Sequence, residues 1–231
     1  MAALLEEPQA DAERLALDQA LAAAVRARIG AGARGRVDAD ALALRDLLAD
    51  FGMTRDEAGV FKALWGRVEA AGGLAVVAYG ALAAPLAADR FGLGVRAASD
   101  AEAALKAAGE GARAVLDVAG RPWWARLLAR PDLRIVAALP DDRRGAPGVL
   151  VVSREASGPT GDDRSFWVTD SSLSDARIIA ALGAAGLAAE PMAASGGLKL
   201  FMLAGYVQAD DGRLADAPGA LSGAIGAAPV F

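Results

Sequence analysis

The sequence predicts an α+β protein: an N-terminal unit of three helices, a small α/β lobe, and a closing subdomain in the ferredoxin-like order β-α-β-β-α-β. Three observations predict it. Apolar residues recur at helical spacing as far as residue 72, and from there short β-branched runs alternate with helix-like stretches. After residue 158 strand patterns outnumber helical ones. The expected divisions are residues 1–72, 73–158 and 159–231, with the turn-rich "EASGPTGDD" as the plainest boundary.

The first helix carries Leu17, Leu21, Val25 and Ile29 at successive spacings of four, one apolar face, with Arg14 and Asp18 placed to pair on its surface. It is expected to stop at "GAGARGR", residues 30–36. Asp38 or Asp40 would cap a second helix running through Leu42, Leu47, Leu48 and Phe51 to Gly52. Thr54 with Glu57 three residues later forms a capping box for a third, carrying Val60, Phe61, Leu64, Trp65 and Val68.

In the middle third, strands are expected at 74–80, 94–99, 112–118, in "RIVAALP" and at 148–155, with helices to Phe91, at 101–108 and after Pro122. Trp123 and Trp124 are adjacent and would point apart on a helix, one inward and one toward a cleft or partner. The last third reads strand 165–170, helix 174–185, strands 187–193 and 198–207 joined at Gly196-Gly197, a weak helix, and "AIGAAPVF". Phe166 and Val168 would face opposite to Trp167.

The chain has 231 residues, a formal charge of −5, and neither Cys nor His. That excludes disulfides, thiolate nucleophiles, the usual zinc sites and Ser-His-Asp triads. An acidic balance also argues against nucleic-acid binding, which needs clustered Lys and Arg. The start, "MAALLEEPQADAER", has acids and a proline where a signal peptide needs a basic start and an apolar core, so a cytoplasmic address is expected. The uncharged run 70–88 is too rich in Ala and Gly, and too interrupted by Pro85, for a membrane span.

Candidate ligand-binding residues fall in two groups. Arg28, Arg34, Arg36 and Arg45, with Arg26 nearby, gather around the first helix junction, where guanidinium forks could clamp a dicarboxylate or simply meet the helix end and Asp38, Asp40 and Asp46. In "PTGDDRSFWVTD", residues 159–170, Arg164 could receive a ligand carboxylate with Thr160 and Ser165 adding hydroxyls, or it could pair with Asp162 or Asp163. Those two aspartates lack a third ligand at a metal-site spacing, and "FGLG" precedes a strand, the reverse of a dinucleotide loop. No metal and no cofactor are expected.

The order of parts, and the stretches "RDLLADFGMTRDEAGVFKALWGRVEAAGGLAVVAYG", "RPWWARLL", "PTGDDRSF" and "IGAAPVF", resemble the alphaproteobacterial chorismate mutase family proteins. In these a helical mutase-like domain is joined to a truncated prephenate dehydratase-like segment. The resemblance implies a place in aromatic amino-acid metabolism, a homodimer, no cofactor, and a small carboxylate ligand such as chorismate, prephenate or an aromatic amino acid. The mutase reaction is a pericyclic rearrangement. It needs arginines to hold two carboxylates and donors aimed at the ether oxygen, and no histidine.

Against the family's pattern, "ERLALD" aligns Arg14 and Asp18 with the first helix's opening, whereas "VRARIGAGARG" aligns Arg28 and Arg34 with its far end and excludes the first match. Ala43 and Leu44 stand where the family has arginine and glutamate, and Ala71 or Gly72 where it has glutamine. The dehydratase-like Thr-Arg-Phe signature becomes "DRSF", without the catalytic threonine. "PGAL" at 218–221 is similar to a phrase of ACT modules but too few residues follow it to build one, so the ACT-like end expected of the last subdomain rests on its β-α-β-β-α-β order. These departures imply a pseudoenzyme that binds a carboxylate or a partner. The alternatives are an active mutase using Arg28, Arg34, Arg36 and Arg45, and a dimeric scaffold.

Overall fold

A computed structural model describes residues 11–31, 36–143 and 145–231, which form a mixed α/β protein around one nine-stranded sheet. Three helices come first: α1 (Ala12–Gly30), α2 (Val37–Asp50) and α3 (Arg55–Ala71). The middle of the chain supplies β1 (Val76–Tyr79), α4 (Ala83–Phe91), β2 (Arg96–Ala97), α5 (Ala101–Gly109), β3 (Arg113–Asp117), a 3₁₀ segment at Trp123–Ala129, β4 (Arg134–Leu139) and β5 (Val149–Ser153). The rest is β6 (Asp163–Thr169), α6 (Asp175–Ala184), β7 (Ala189–Ser195), β8 (Leu198–Ala204) and β9 (Ser222–Pro229).

Strand order is β2-β1-β3-β5-β4-β9-β6-β8-β7. Strands β2, β1 and β3 run parallel, as crossovers through α4 and α5 require, and β6 to β9 pair antiparallel in the order β9-β6-β8-β7. The weak second helix expected in this last part is a loop with a single 3₁₀ turn at Gly212–Leu214. Two subdomains therefore share one sheet, because β9 also lies parallel to β4, with Gly226 opposite Ile135. At Gly226 φ is +134°, and a Cβ there would overlap the Ile135 backbone, so only glycine brings the strands this close.

Side-chain alternation divides the core. Leu116, Leu150, Val152, Phe166 and Val168 face α5 and the 3₁₀ segment, whereas Val115, Val149 and Val151 face α4, and Trp167 faces α6. Trp123 and Trp124 do not divide as expected: both are buried on the first face, Trp123 Nε1 donating to the Asp117 carbonyl at 2.6 Å. The tighter 3₁₀ winding replaces the α-helix that would have pointed them apart.

The helical front lies on the α4 side. Thr54 caps α3 with Glu57 as its partner in a complete capping box. Neither Asp38 nor Asp40 caps α2; Arg36 occupies that position without a side-chain capping bond, and Asp38 sits in the first turn, where it accepts from the amides of Ala39 and Gly158. Gly66 lets α3 approach α4 until a Cβ would overlap the Arg90 carbonyl. Leu44, Ala58 and Trp65 form the small core between α2 and α3. The apolar face of α1 remains outside it: no α1 residue is buried, and Leu17 and Leu21 are 73% and 55% exposed.

The carboxylate of Asp117 accepts from the amides of Leu82 (3.2 Å) and Ala83 (2.6 Å), so a strand end caps α4 from across the sheet. Asp117→Ala is expected to cost about 1–2 kcal/mol in urea unfolding, with Asp117→Asn recovering most of it. Equal midpoints for wild type and the alanine variant would refute that role.

Candidate functional site

Where α2 and α3 meet the turns at 141–143 and 160–162 there is a cleft of about 890 Å³. It is lined by the cations Arg45, Arg55, Lys62 and Arg143, by the carboxylates of Asp56, Asp141, Asp142 and Asp162, and by Val230 and Phe231. Arg45 stands on α2 beside the buried Leu44, which fixes the helix's rotation and aims the guanidinium at the turn. Its Nη2 donates to the carbonyls of Asp162 (2.7 Å) and Val230 (3.0 Å). Its Nη1 is buried and has no hydrogen-bond acceptor among the described residues. Gly161, at φ +87°, faces that nitrogen, 4.0 Å from where a Cβ would stand.

Lys62 on α3 pairs with Asp141 at 2.5 Å, and Arg90 on α4 reaches the other oxygen of the same carboxylate at 3.3 Å. Lys62 Nζ also lies 4.9 Å from the centre of the Phe231 ring, and the Arg45 guanidinium carbon 5.9 Å from it. Behind Phe231, sharing Lys62 and Asp141 with the cleft, a narrow cavity of about 40 Å³ is lined by Asp40, Glu69, Arg90 and Arg113. It has room for a few waters and nothing larger.

In that inner wall Arg113 pairs with Glu69 at 2.5 Å and with Glu155 at 2.9 Å. Burial raises the Glu69 carboxyl above its ordinary value, with the Arg113 guanidinium pulling the other way. Burial opposes the charge on Arg113, yet Glu69 and Glu155 together hold it above its ordinary value. Burial depresses Arg90 against the pull of Asp141. Such groups are tolerated in a low-dielectric wall only as mutually satisfied partners.

The candidates read from sequence are dispersed by this geometry. Arg28 pairs with Asp40 at 2.6 Å and lies over the Trp65 ring. Arg36 holds Asp38 at 2.6 Å; burial works against the Asp38 charge, but Arg36 and two backbone amides outweigh it and lower the carboxyl's pKa. Arg34 lies outside the described residues. Arg164 donates to the carbonyls of Asp142 and Gly145, so it ties down a turn and pairs with neither Asp162 nor Asp163. Thr160 is closed onto Asp163, and Ser165 joins the Gly205 carbonyl to the Val207 amide. Of the described members of the set, only Arg45 and Thr160 line the same cleft.

Lys62, Glu69, Arg90, Arg113 and Asp141 were not singled out by sequence. A signal existed for two of them: Lys62 and Glu69 share the inward face of α3 with Ala58 and Trp65, at spacings of four, three and four. A charge on an apolar face needs a buried partner.

Fold and cleft together define a mixed α/β protein with a cleft of mixed charge at the helix–sheet junction, in which Lys62 and Arg143 are paired with Asp141 and Asp162. No protein-family model matches the chain, and no curated protein does. A solved structure described as GqqA, a novel type of quorum quenching acylase, matches 68% of this chain and 95% of its own at 17% identity and a TM-score of 0.45. A likeness that slight transfers no chemistry to the cleft. Among the described residues no group of acidic side chains is placed to hold a metal ion, and no helix is long and apolar enough to cross a membrane.

Proposed function

We propose that this chain is a chorismate mutase-like, prephenate dehydratase-like protein with an ACT-like end. On this reading it works in the cytoplasm, in aromatic amino-acid metabolism, and binds a small carboxylate metabolite in the Arg45 cleft without efficient catalysis. The observation that carries it is Arg45 Nη1, a buried cationic donor left without an acceptor at the edge of a cleft large enough for a metabolite. Leaving such a donor unmatched costs free energy that an incoming carboxylate returns, because charge-assisted bonds are the strong ones.

Loss of turnover follows from the partners. A mutase must clamp two carboxylates and direct donors at an ether oxygen. Here Arg28 and Arg36 are taken by aspartates, and the inner cavity is too small for a substrate. An ultraviolet assay of chorismate loss is therefore expected to show no turnover that falls when Arg28, Arg36 or Arg45 is changed; arginine-dependent turnover would establish the active mutase instead. Chorismate, prephenate, phenylalanine and tyrosine are then screened by thermal shift. A ligand at roughly 100 times its Kd adds about 2.7 kcal/mol, a rise of several degrees that Arg45→Gln abolishes. No stabilisation at millimolar ligand would defeat the proposal.

The exposed leucines of α1 favour a second reading, a homodimer that buries them. Asp11 and Glu13 stand near one end of this helix and Arg26 near the other, so an antiparallel pair of copies would bring opposite charges together. Sedimentation is expected to give a dimer mass that Leu17→Glu with Leu21→Glu reduces to a monomer. A monomer of the wild type across the micromolar range would exclude it.

A further inference from the structure

We propose that Phe231 is a built-in occupant of an aromatic subsite in the Arg45 cleft, and that the external ligand is an aromatic carboxylate whose ring displaces it. This inference rests on the carboxylate reading of the cleft and names the ligand's class. Two cations from different helices lie near the Phe231 ring, Lys62 Nζ at 4.9 Å from its centre and the Arg45 guanidinium carbon at 5.9 Å. Cations held near a ring face favour a π-system over an aliphatic group of equal volume. The ring also packs against the α2–α3 core beside Leu48, Met53 and Phe61, so the subsite offers an apolar seat as well as a charged rim.

The position of the ring gives the displacement a consequence. Phe231 lines both the open cleft and the narrow charged cavity behind it, and both share Lys62 and Asp141. Its backbone amide donates to the Asp141 carbonyl at 2.9 Å, one residue beyond the strand-end carbonyl that Arg45 holds. Swinging the ring out leaves β9 in place, uncovers the ring-facing sides of Arg45 and Lys62, and joins the two spaces into one seat. A ligand ring entering there keeps both cation contacts, and its carboxylate meets the unmatched Nη1 of Arg45. The cleft is thus self-occluded, and the ligand's measured affinity is reduced by the fraction of molecules in which Phe231 is out.

Titration calorimetry on the full chain tests this with phenylacetate, cyclohexylacetate and succinate as probes. Phe231→Ala is expected to bind phenylacetate about tenfold more tightly than wild type, the gain from removing an occupant present roughly nine-tenths of the time. Phe231→Leu, which keeps the apolar contact and the fold, is expected to gain a few-fold. Both variants should prefer phenylacetate to cyclohexylacetate. Unchanged or weaker phenylacetate binding in both variants, with succinate still bound through Arg45, would overturn the aromatic subsite alone. Failure of every probe to bind wild type and variants would overturn the carboxylate reading together with it. Equal affinity for phenylacetate and its saturated analogue would also refute the subsite.

Discussion

Arg113→Met is expected to destabilise the fold by about 3–5 kcal/mol, the cost of leaving buried charges without their partner, and to lower Tm by roughly 10 °C in a chain of this size. Arg113 opens β3, where its guanidinium reaches Glu69 on α3 and Glu155 beyond β5. It therefore fastens the helical front to the sheet from inside. The Glu69 side chain is only 4% exposed and cannot turn to water when the arginine is removed. Glu155 is partly exposed and can. Adding Glu69→Gln to Arg113→Met is therefore expected to recover about half of the loss, since it removes the charge that remains buried.

The same pair predicts a pH dependence. The Glu69 pKa is raised in the folded state, chiefly by burial. The folded protein then holds a proton there more tightly than the unfolded chain does, so the stability linked to this group is fully present below the unfolded carboxyl's pKa and is lost as pH rises through the folded one. Without Arg113 to oppose it, burial raises that pKa further. Arg113→Met should thus lie closer to wild type at pH 5 than at pH 7.5 in urea denaturation. A uniform deficit at both would show that Glu69 does not titrate with the loss, and a loss under about 1 kcal/mol would show that the buried ion pair does not join the two layers.

Gly226→Ala is expected to cost more than about 3 kcal/mol, from a positive φ that a Cβ disfavours and from overlap with the Ile135 backbone. This is the position at which β9 is registered with β4, and hence where the two parts of the sheet join. The variant is expected to lose cooperativity as well as stability: by hydrogen exchange the amides of β6 to β8 should open separately from those of β1, β3 and β5. Wild-type cooperativity with a loss under about 1 kcal/mol would mean that the joint contributes little.

Much of the local structure was legible because its causes are local. The Thr54–Glu57 box spans three residues, the Gly196-Gly197 hairpin two, and the alternation of Phe166 and Val168 against Trp167 follows from strand geometry. The joint at β9 was not legible. "SGAIGAAP" has no strong alternation to show which neighbour it pairs with, and glycine's part there is set by a strand 91 residues earlier in the chain, Ile135 against Gly226. The same holds for the cleft. Arg45 could be chosen as a candidate, but its two acceptors lie 117 and 185 residues away, and nothing near it in sequence distinguishes it from Arg36, which pairs two residues on. The stripe on α1 was read correctly as a pattern, while its exposure depends on what the rest of the chain leaves uncovered.

The central claim is that Arg45 keeps an unfilled donor for a carboxylate, and the guanidinium resonances of this residue report on it directly. In side-chain ¹⁵N NMR of the full chain titrated with phenylacetate, the Arg45 signals should shift and saturate while those of Arg164, bound to two carbonyls, stay in place. An Arg45 signal that does not move at millimolar ligand, or movement confined to Arg28 and Arg36, would contradict the account.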